Sequence, residues 1–249
     1  MKSLYESLLD DEEEVINNVD LMPLIDQWLK KHWCFNYTID RDGLINLNGS
    51  HSITIDEEEL PSYINLGKIS GMFSVHGSNL KSLRGFPKEV GAAFQLWGCH
   101  ELESLKGMPE KVGGGIAISR CEKIKNLEGL PKKINIKLLC DDCKGLESLK
   151  GCPKKIFGGF ECRGCSNLKT LKGGPDWVES SCKYYHCYSL TTLEGAPKYV
   201  GGDFNCYGNH LESLKGVPDL IKGDFDYHDN PKLKTLEYFP KQVLGEVYP

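Results

Sequence analysis

Four cysteines stand at a spacing that could hold a metal. Cys140-Asp-Asp-Cys143 is followed, after 18 intervening residues, by Cys162-Arg-Gly-Cys165. Two C-x-x-C pairs at this separation are a zinc-site pattern, because four thiolates can close a tetrahedron around the ion. A second candidate is His186 beside Cys187, an imidazole next to a potential nucleophile. A third is a supply of lysines. Lys88, Lys132, Lys133, Lys154, Lys155, Lys198 and Lys241 lie beside prolines, and Lys106, Lys150, Lys172 and Lys215 lie further along. A row of ammonium groups could track phosphates.

Other chemistry is not signalled. The chain contains no G-x-x-x-x-G-K-[ST], H-E-x-x-H or G-x-S-x-G motif. With no catalytic constellation, the expectation is a non-enzyme without cofactor or bound metal. A net charge of −5 gives no overall attraction to nucleic acid or a membrane surface. No apolar run approaches 18 residues, and the N-terminal Met1 to Glu14 is acidic with no apolar signal-peptide centre. The expected location is cytoplasmic, where the 11 cysteines remain thiols.

The elements that must position these residues are set by a repeat. Prolines recur at 87, 109, 131, 153, 175, 197, 218 and 240, in steps of 22 with one step of 21. A fixed period of this length is the mark of a solenoid. Three residues after each proline comes an aliphatic side chain, from Val90 to Val243. Next comes an alternating pair such as Phe94/Leu96, Phe160/Cys162 or Phe204/Cys206, which predicts a short strand with one face buried. A thiol or amide follows at Cys99, Cys121, Cys143, Cys165, Cys187, Asn209 and Asn230. An L-x-x-L segment then closes the unit, with glycine after it in nearly every copy.

This period changes the weight of the first candidates. Cys140 and Cys162 fall at the inward strand position held elsewhere by Leu96 and Ile118. Cys143 and Cys165 belong to the thiol/amide column. They therefore read first as core residues whose column bonds the turn backbone of neighbouring units, with zinc as the lesser alternative. A thiol makes that bond more weakly than asparagine. Glu128, Glu194 and Glu237 interrupt the second lysine row, which makes a solvated mixed-sign surface a better reading than a phosphate track. His186 and Cys187 are chain neighbours at a strand edge and do not aim at one another.

The units resemble the short leucine-rich-repeat proteins of tailed phages and bacteria, in the form P-K-x-V-G-G-x-F-x-C-x-x-N-x-L-x-S-L-x-G. Pro197 to Gly216 is the clearest copy, and the resemblance covers about Asp40 to Val247. It implies an α/β repeat, a leucine-rich-repeat solenoid with a parallel concave β-sheet, and a binding role. It transfers no active site. The stretch Tyr37 to Gly49 resembles the β-hairpin cap that precedes such arrays. The expected organisation is a helical cap over 1–32, a hairpin segment over 33–60, and a solenoid over 61–249 with about eight repeats of 21–22 residues and a terminal half-repeat. Within the cap, Leu4 to Ile16 and Leu21 to Leu29 fall at helical spacing, with Asp20 as the cap of the second helix. Strands are expected at 35–39 and 44–47 about Asp42-Gly43, with a third at 52–55.

Function is then expected on the outward strand positions, which are free of packing duty. The candidate partner-binding residues are Trp97, Arg120, Asp141, Asp142, Glu161, Arg163, Tyr185, His186, Tyr207 and His228. Aromatics and arginine are the types that carry binding energy at protein interfaces. The expectation is a non-catalytic protein-binding module; for a phage product, the target would be a host defence or regulatory protein. The alternative is an assembly protein that self-associates through an open C-terminal strand edge.

Overall fold

The computed structural model of the protein describes residues 21–249. The strands, in chain order, begin with β1 (Tyr37–Ile39), β2 (Ile45–Leu47), β3 (His51–Thr54), β4 (Leu66–Ile69), β5 (Phe73–His76), β6 (Glu89–Val90) and β7 (Phe94–Trp97). They continue with β8 (Lys111–Val112), β9 (Ile116–Ser119), β10 (Lys137–Asp141), β11 (Lys155–Ile156), β12 (Gly159–Arg163), β13 (Trp177–Val178) and β14 (Cys182–Tyr185). The last are β15 (Tyr199–Val200), β16 (Phe204–Asn205), β17 (Leu220–Ile221), β18 (Phe225–Asp226), β19 (Gln242–Val243) and β20 (Val247–Tyr248).

The chain winds into a parallel-strand β-solenoid of about nine turns. One long sheet has ten strands in the order β3-β5-β7-β9-β10-β12-β14-β16-β18-β20. Two five-stranded sheets, β1-β2-β4-β6-β8 and β11-β13-β15-β17-β19, run alongside it. The period dictates this arrangement. Residues one unit apart become register partners, so like side chains stack on like. Phe73, Phe94, Ile116, Leu138, Phe160, Cys182, Phe204 and Phe225 form one such column. All are within 1% of fully buried. Each large apolar member stabilises the stack by about 1.5–3 kcal/mol, and only because a neighbouring turn covers it.

Glycine is required where turns approach most closely. At Gly158 a Cβ would lie 1.4 Å from the Ile136 carbonyl oxygen of the preceding turn. At Gly129 the backbone is left-handed, with φ +110°, and a Cβ would meet the Leu105 carbonyl carbon at 2.4 Å.

The α/β expectation is corrected. The segments returning from the long sheet carry no helix, and α1 (Met22–Lys31) is the one helix among the described residues. Every L-x-x-L segment but the last is cut off by a positive-φ glycine and then a proline, and the last, Leu233 to Leu236, by Pro240, which leaves too few residues to nucleate a helix. α1 buries Ile25, Trp28 and Leu29 in the core shared with the strands, and ends on Lys30 and Lys31. Its N-cap is Leu21, with no side-chain cap. Asp20 and the helix expected over Leu4 to Ile16 lie outside the described residues. No described helix is long and apolar enough to cross a membrane.

The hairpin forms as β1 and β2, antiparallel about Asp42-Gly43 with Gly43 at φ +74°. The Asp40 carboxylate accepts the Asp42 and Leu44 amides at 3.0 and 2.9 Å. The expected third strand also forms, as β3, but it joins the long sheet and pairs with β5. At the other end the last turn is uncovered: Leu236, Phe239, Leu244 and Val247 are 50%, 41%, 57% and 38% exposed.

Candidate functional site

The site is built on how each strand of the long sheet ends. Gly98, Arg120, Asp142, Gly164, His186, Gly208 and Asp229 occupy one position in successive turns, and all have φ between +52° and +66°. This left-handed residue turns the chain so that the next side chain points back into the core. Four of the seven carry a Cβ in a conformation that costs most residues about 1 kcal/mol or more.

The inward side chain that follows is the thiol/amide column. The Cys143 thiol donates to the Ile118 carbonyl at 3.3 Å, Cys165 to the Cys140 carbonyl at 3.1 Å, and Cys187 to the Cys162 carbonyl at 3.6 Å. Asn209 and Asn230 take over with Nδ2 donating to the Tyr184 and Cys206 carbonyls at 2.7 and 3.0 Å. The expected bonding between turns is therefore present. All eleven cysteines are unpaired and buried. Burial pushes the Cys182 thiol up to about 12 and raises Cys206 as well. The hydrogen bond to Cys165, and then burial, raise Cys187. Hydrogen bonds from Cys162 and Cys187 lower Cys165 instead, so the column's thiols do not share one state; what they share is burial and a carbonyl partner in a neighbouring turn. No group of three or more metal-ligating side chains forms among the described residues. The Cys187 thiol points inward, while the His186 ring packs edge-on against Tyr207 at 5.1 Å; the two do not form a dyad.

On the outward side the sheet draws residues from separate turns into files. Tyr185, which ends β14, stacks on Tyr207 at 5.2 Å and 10°. Tyr207 stacks on His228 at 4.6 Å and 3°. The Arg163 guanidinium lies 5.9 Å from the Tyr185 ring centre, which extends the file to four turns. His228 is fixed by Asp226, at 2.5 Å from Nδ1, and by Asp229, at 3.5 Å from Nε2. Beside the file runs a groove lined by His186, Tyr188, His210 and Asp229.

An acidic centre adjoins this file. The Tyr185 hydroxyl donates to Glu161, which also pairs with Lys137 at 3.0 Å. Asp141 lies one turn away and has a buried carboxylate oxygen with no hydrogen-bond partner. Burial first, and the neighbouring Glu161 charge second, push its carboxyl up to about 6. Asp142 sits at the left-handed position beside it. A second, smaller cluster stands at the other side of the acidic centre. Trp97, 45% exposed, lies between His76, with ring centres 5.4 Å apart, and the Arg120 guanidinium at 5.0 Å.

The ten expected residues thus lie on the long sheet or at its strand ends, in two clusters rather than one. Four turns separate Trp97 from Tyr185, about 19 Å at the spacing of paired strands. Arg120 and Arg163 each sit over a ring and form no ion pair with Asp142 among the described residues. The expected mixed-sign lysine surface is present as pairs between turns, such as Lys123 with Glu101 and Lys150 with Glu128. Two features escaped the sequence. One is the Tyr188–His210 pair, with ring centres 5.6 Å apart. The other is a set of rings and lysines on the second five-stranded sheet. Its sequence trace is the third position of the P-K-x-V segment, where Lys155, Trp177 and Tyr199 are register partners.

Compared with known proteins, the chain matches no family model, no curated protein and no solved structure.

Proposed function

We propose that this chain is a non-catalytic protein-binding module of the leucine-rich-repeat kind, which engages a protein partner through the outward face of its long sheet. The observation that supports this best is the Arg163–Tyr185–Tyr207–His228 file. These are residue types that concentrate binding energy, and each ring is already held by its neighbours, so little side-chain freedom remains to be lost on association. The acidic centre at Asp141, Asp142 and Glu161 supplies charge for register and selectivity. In this reading α1 is the N-terminal cap of the array. The resemblance to phage proteins makes the partner a host defence or regulatory protein met in the cytoplasm.

The test is a capture experiment from host lysate, with the native chain beside a folded Trp97→Ala/Tyr185→Ala/Tyr207→Ala variant. A partner held by the native chain and lost by the variant supports the reading. A partner held equally by both removes the site from the long sheet.

A second reading, self-association, is favoured by one observation: the exposed Leu236, Phe239, Leu244 and Val247 of the last turn beside the singly paired β20. Light scattering over a wide concentration range separates the two. A constant monomer mass eliminates assembly through this edge.

A further inference from the structure

The outward face of the second five-stranded sheet carries its own file. Trp177 and Tyr199 stack at 3.6 Å and 15°. The Lys155 ammonium lies 4.9 Å from the Trp177 ring centre and 4.9 Å from that of Phe157. Lys133 lies over Phe157 at 5.2 Å, and Lys222 over Tyr199 at 5.3 Å. Three ammoniums and three rings therefore form one file across five turns, about 19 Å of surface.

These lysines differ from those that pair between turns. Lys123, Lys150, Lys169 and Lys215 each meet a glutamate of the preceding turn. Lys133, Lys155 and Lys222 rest on rings and have no carboxylate within ion-pair distance among the described residues. Phe157 and Trp177 remain 44% and 36% exposed, and Leu244, one turn beyond Lys222, is 57% exposed. In the two outward columns only one carboxylate is present, Glu179, which accepts the Trp177 indole N–H at 2.8 Å.

The partner follows from what this face leaves open. Ring faces are filled by neighbouring rings and ammoniums, so neither a nucleic-acid base nor a sugar ring can stack there. Ring edges, apolar tips and three unneutralised cations remain. Tryptophan and tyrosine with lysine alongside is the composition that suits the headgroup layer of a bilayer, where the rings sit at the boundary and the ammoniums reach the phosphates. We propose that this face lies on an anionic phospholipid surface, with Lys133, Lys155 and Lys222 pairing headgroups while Phe157 and Trp177 enter the interface. The molecule's net charge of −5 opposes adsorption as a whole, so attraction has to come from the local cations of this face.

The test is co-sedimentation of the native chain with phosphatidylcholine vesicles, with and without phosphatidylserine, at about 0.1 M and about 1 M salt. The expected result is binding only to the phosphatidylserine vesicles, lost at the higher salt. Lys133→Glu/Lys155→Glu/Lys222→Glu should weaken it at least about ten-fold. Glu179→Gln, which removes the one opposing charge without disturbing the core, should strengthen it and serves as the control should the triple variant misfold. No binding to phosphatidylserine vesicles overturns the proposal. So does undiminished binding by a folded triple variant, or weaker binding by Glu179→Gln. Capture by immobilised poly-glutamate with the vesicles ignored overturns it in favour of an acidic peptide.

Discussion

The thiol/amide column puts a price on single atoms. Asn209 donates Nδ2 to two buried carbonyls, at 2.7 and 2.8 Å, and accepts the Cys187 amide at 2.7 Å. Cys165 offers one weak S–H donor. Asn209→Ala should therefore cost about 3 kcal/mol and Cys165→Ala about 1–2 kcal/mol, measured by urea unfolding. Equal costs would show that the column fills space without bonding the turns. Asp141 gives a pH-dependent case. A carboxyl raised to about 6 holds its proton more tightly folded than unfolded, so stability falls as pH rises from about 4 to about 6 and stays reduced above. Asp141→Asn should gain about 1 kcal/mol at pH 7.5, a value discounted because the side chain is only half-buried. The gain should vanish by pH 4; an equal gain at both values would rule out titration as its source. The inward role of Cys140, Cys143, Cys162 and Cys165 was legible in the sequence because the period alone decides which positions face the core. The state of Asp141 was not, since it depends on how deeply the fold buries the carboxyl and then on Glu161 in the next turn.

Among the elements, the long sheet was legible and the second five-stranded sheet was not. Four-residue strands such as Phe94–Trp97 show two cycles of alternation, whereas Trp177–Val178 shows one and resembles part of a turn. The helix-free return segments escaped for a related reason. L-x-x-L has helical spacing, yet the glycine and proline behind it leave no room for a second turn of helix. Packing between neighbouring turns is tightest at Gly158, where any side chain would enter the Ile136 carbonyl. Gly158→Ala should cost about 3 kcal/mol or more, seen as a lowered melting temperature. A loss under about 1 kcal/mol would mean that adjacent turns can part at that corner without disturbing the sheet.

At the scale of the whole molecule, nearly all bonding runs between a residue and its equivalent one turn away. The pairs 116/138/160/182 and 155/177/199 show the same offset of 22 on two different faces. The chain thus behaves as a ruler whose graduation is the turn. Removing Pro131–Cys152, one whole graduation, would leave every column a matching neighbour. It would also draw Trp97 closer to Tyr185 by a single strand spacing, about 4.8 Å. The shortened protein should fold, with circular dichroism like that of the parent. Removing 20 residues from the same place should not fold, because inward and outward columns would no longer meet their equivalents. Length here is an integer variable. A lineage carrying this fold can retune the distance between its two aromatic clusters by gaining or losing whole turns, while the rings of each cluster keep their own neighbours.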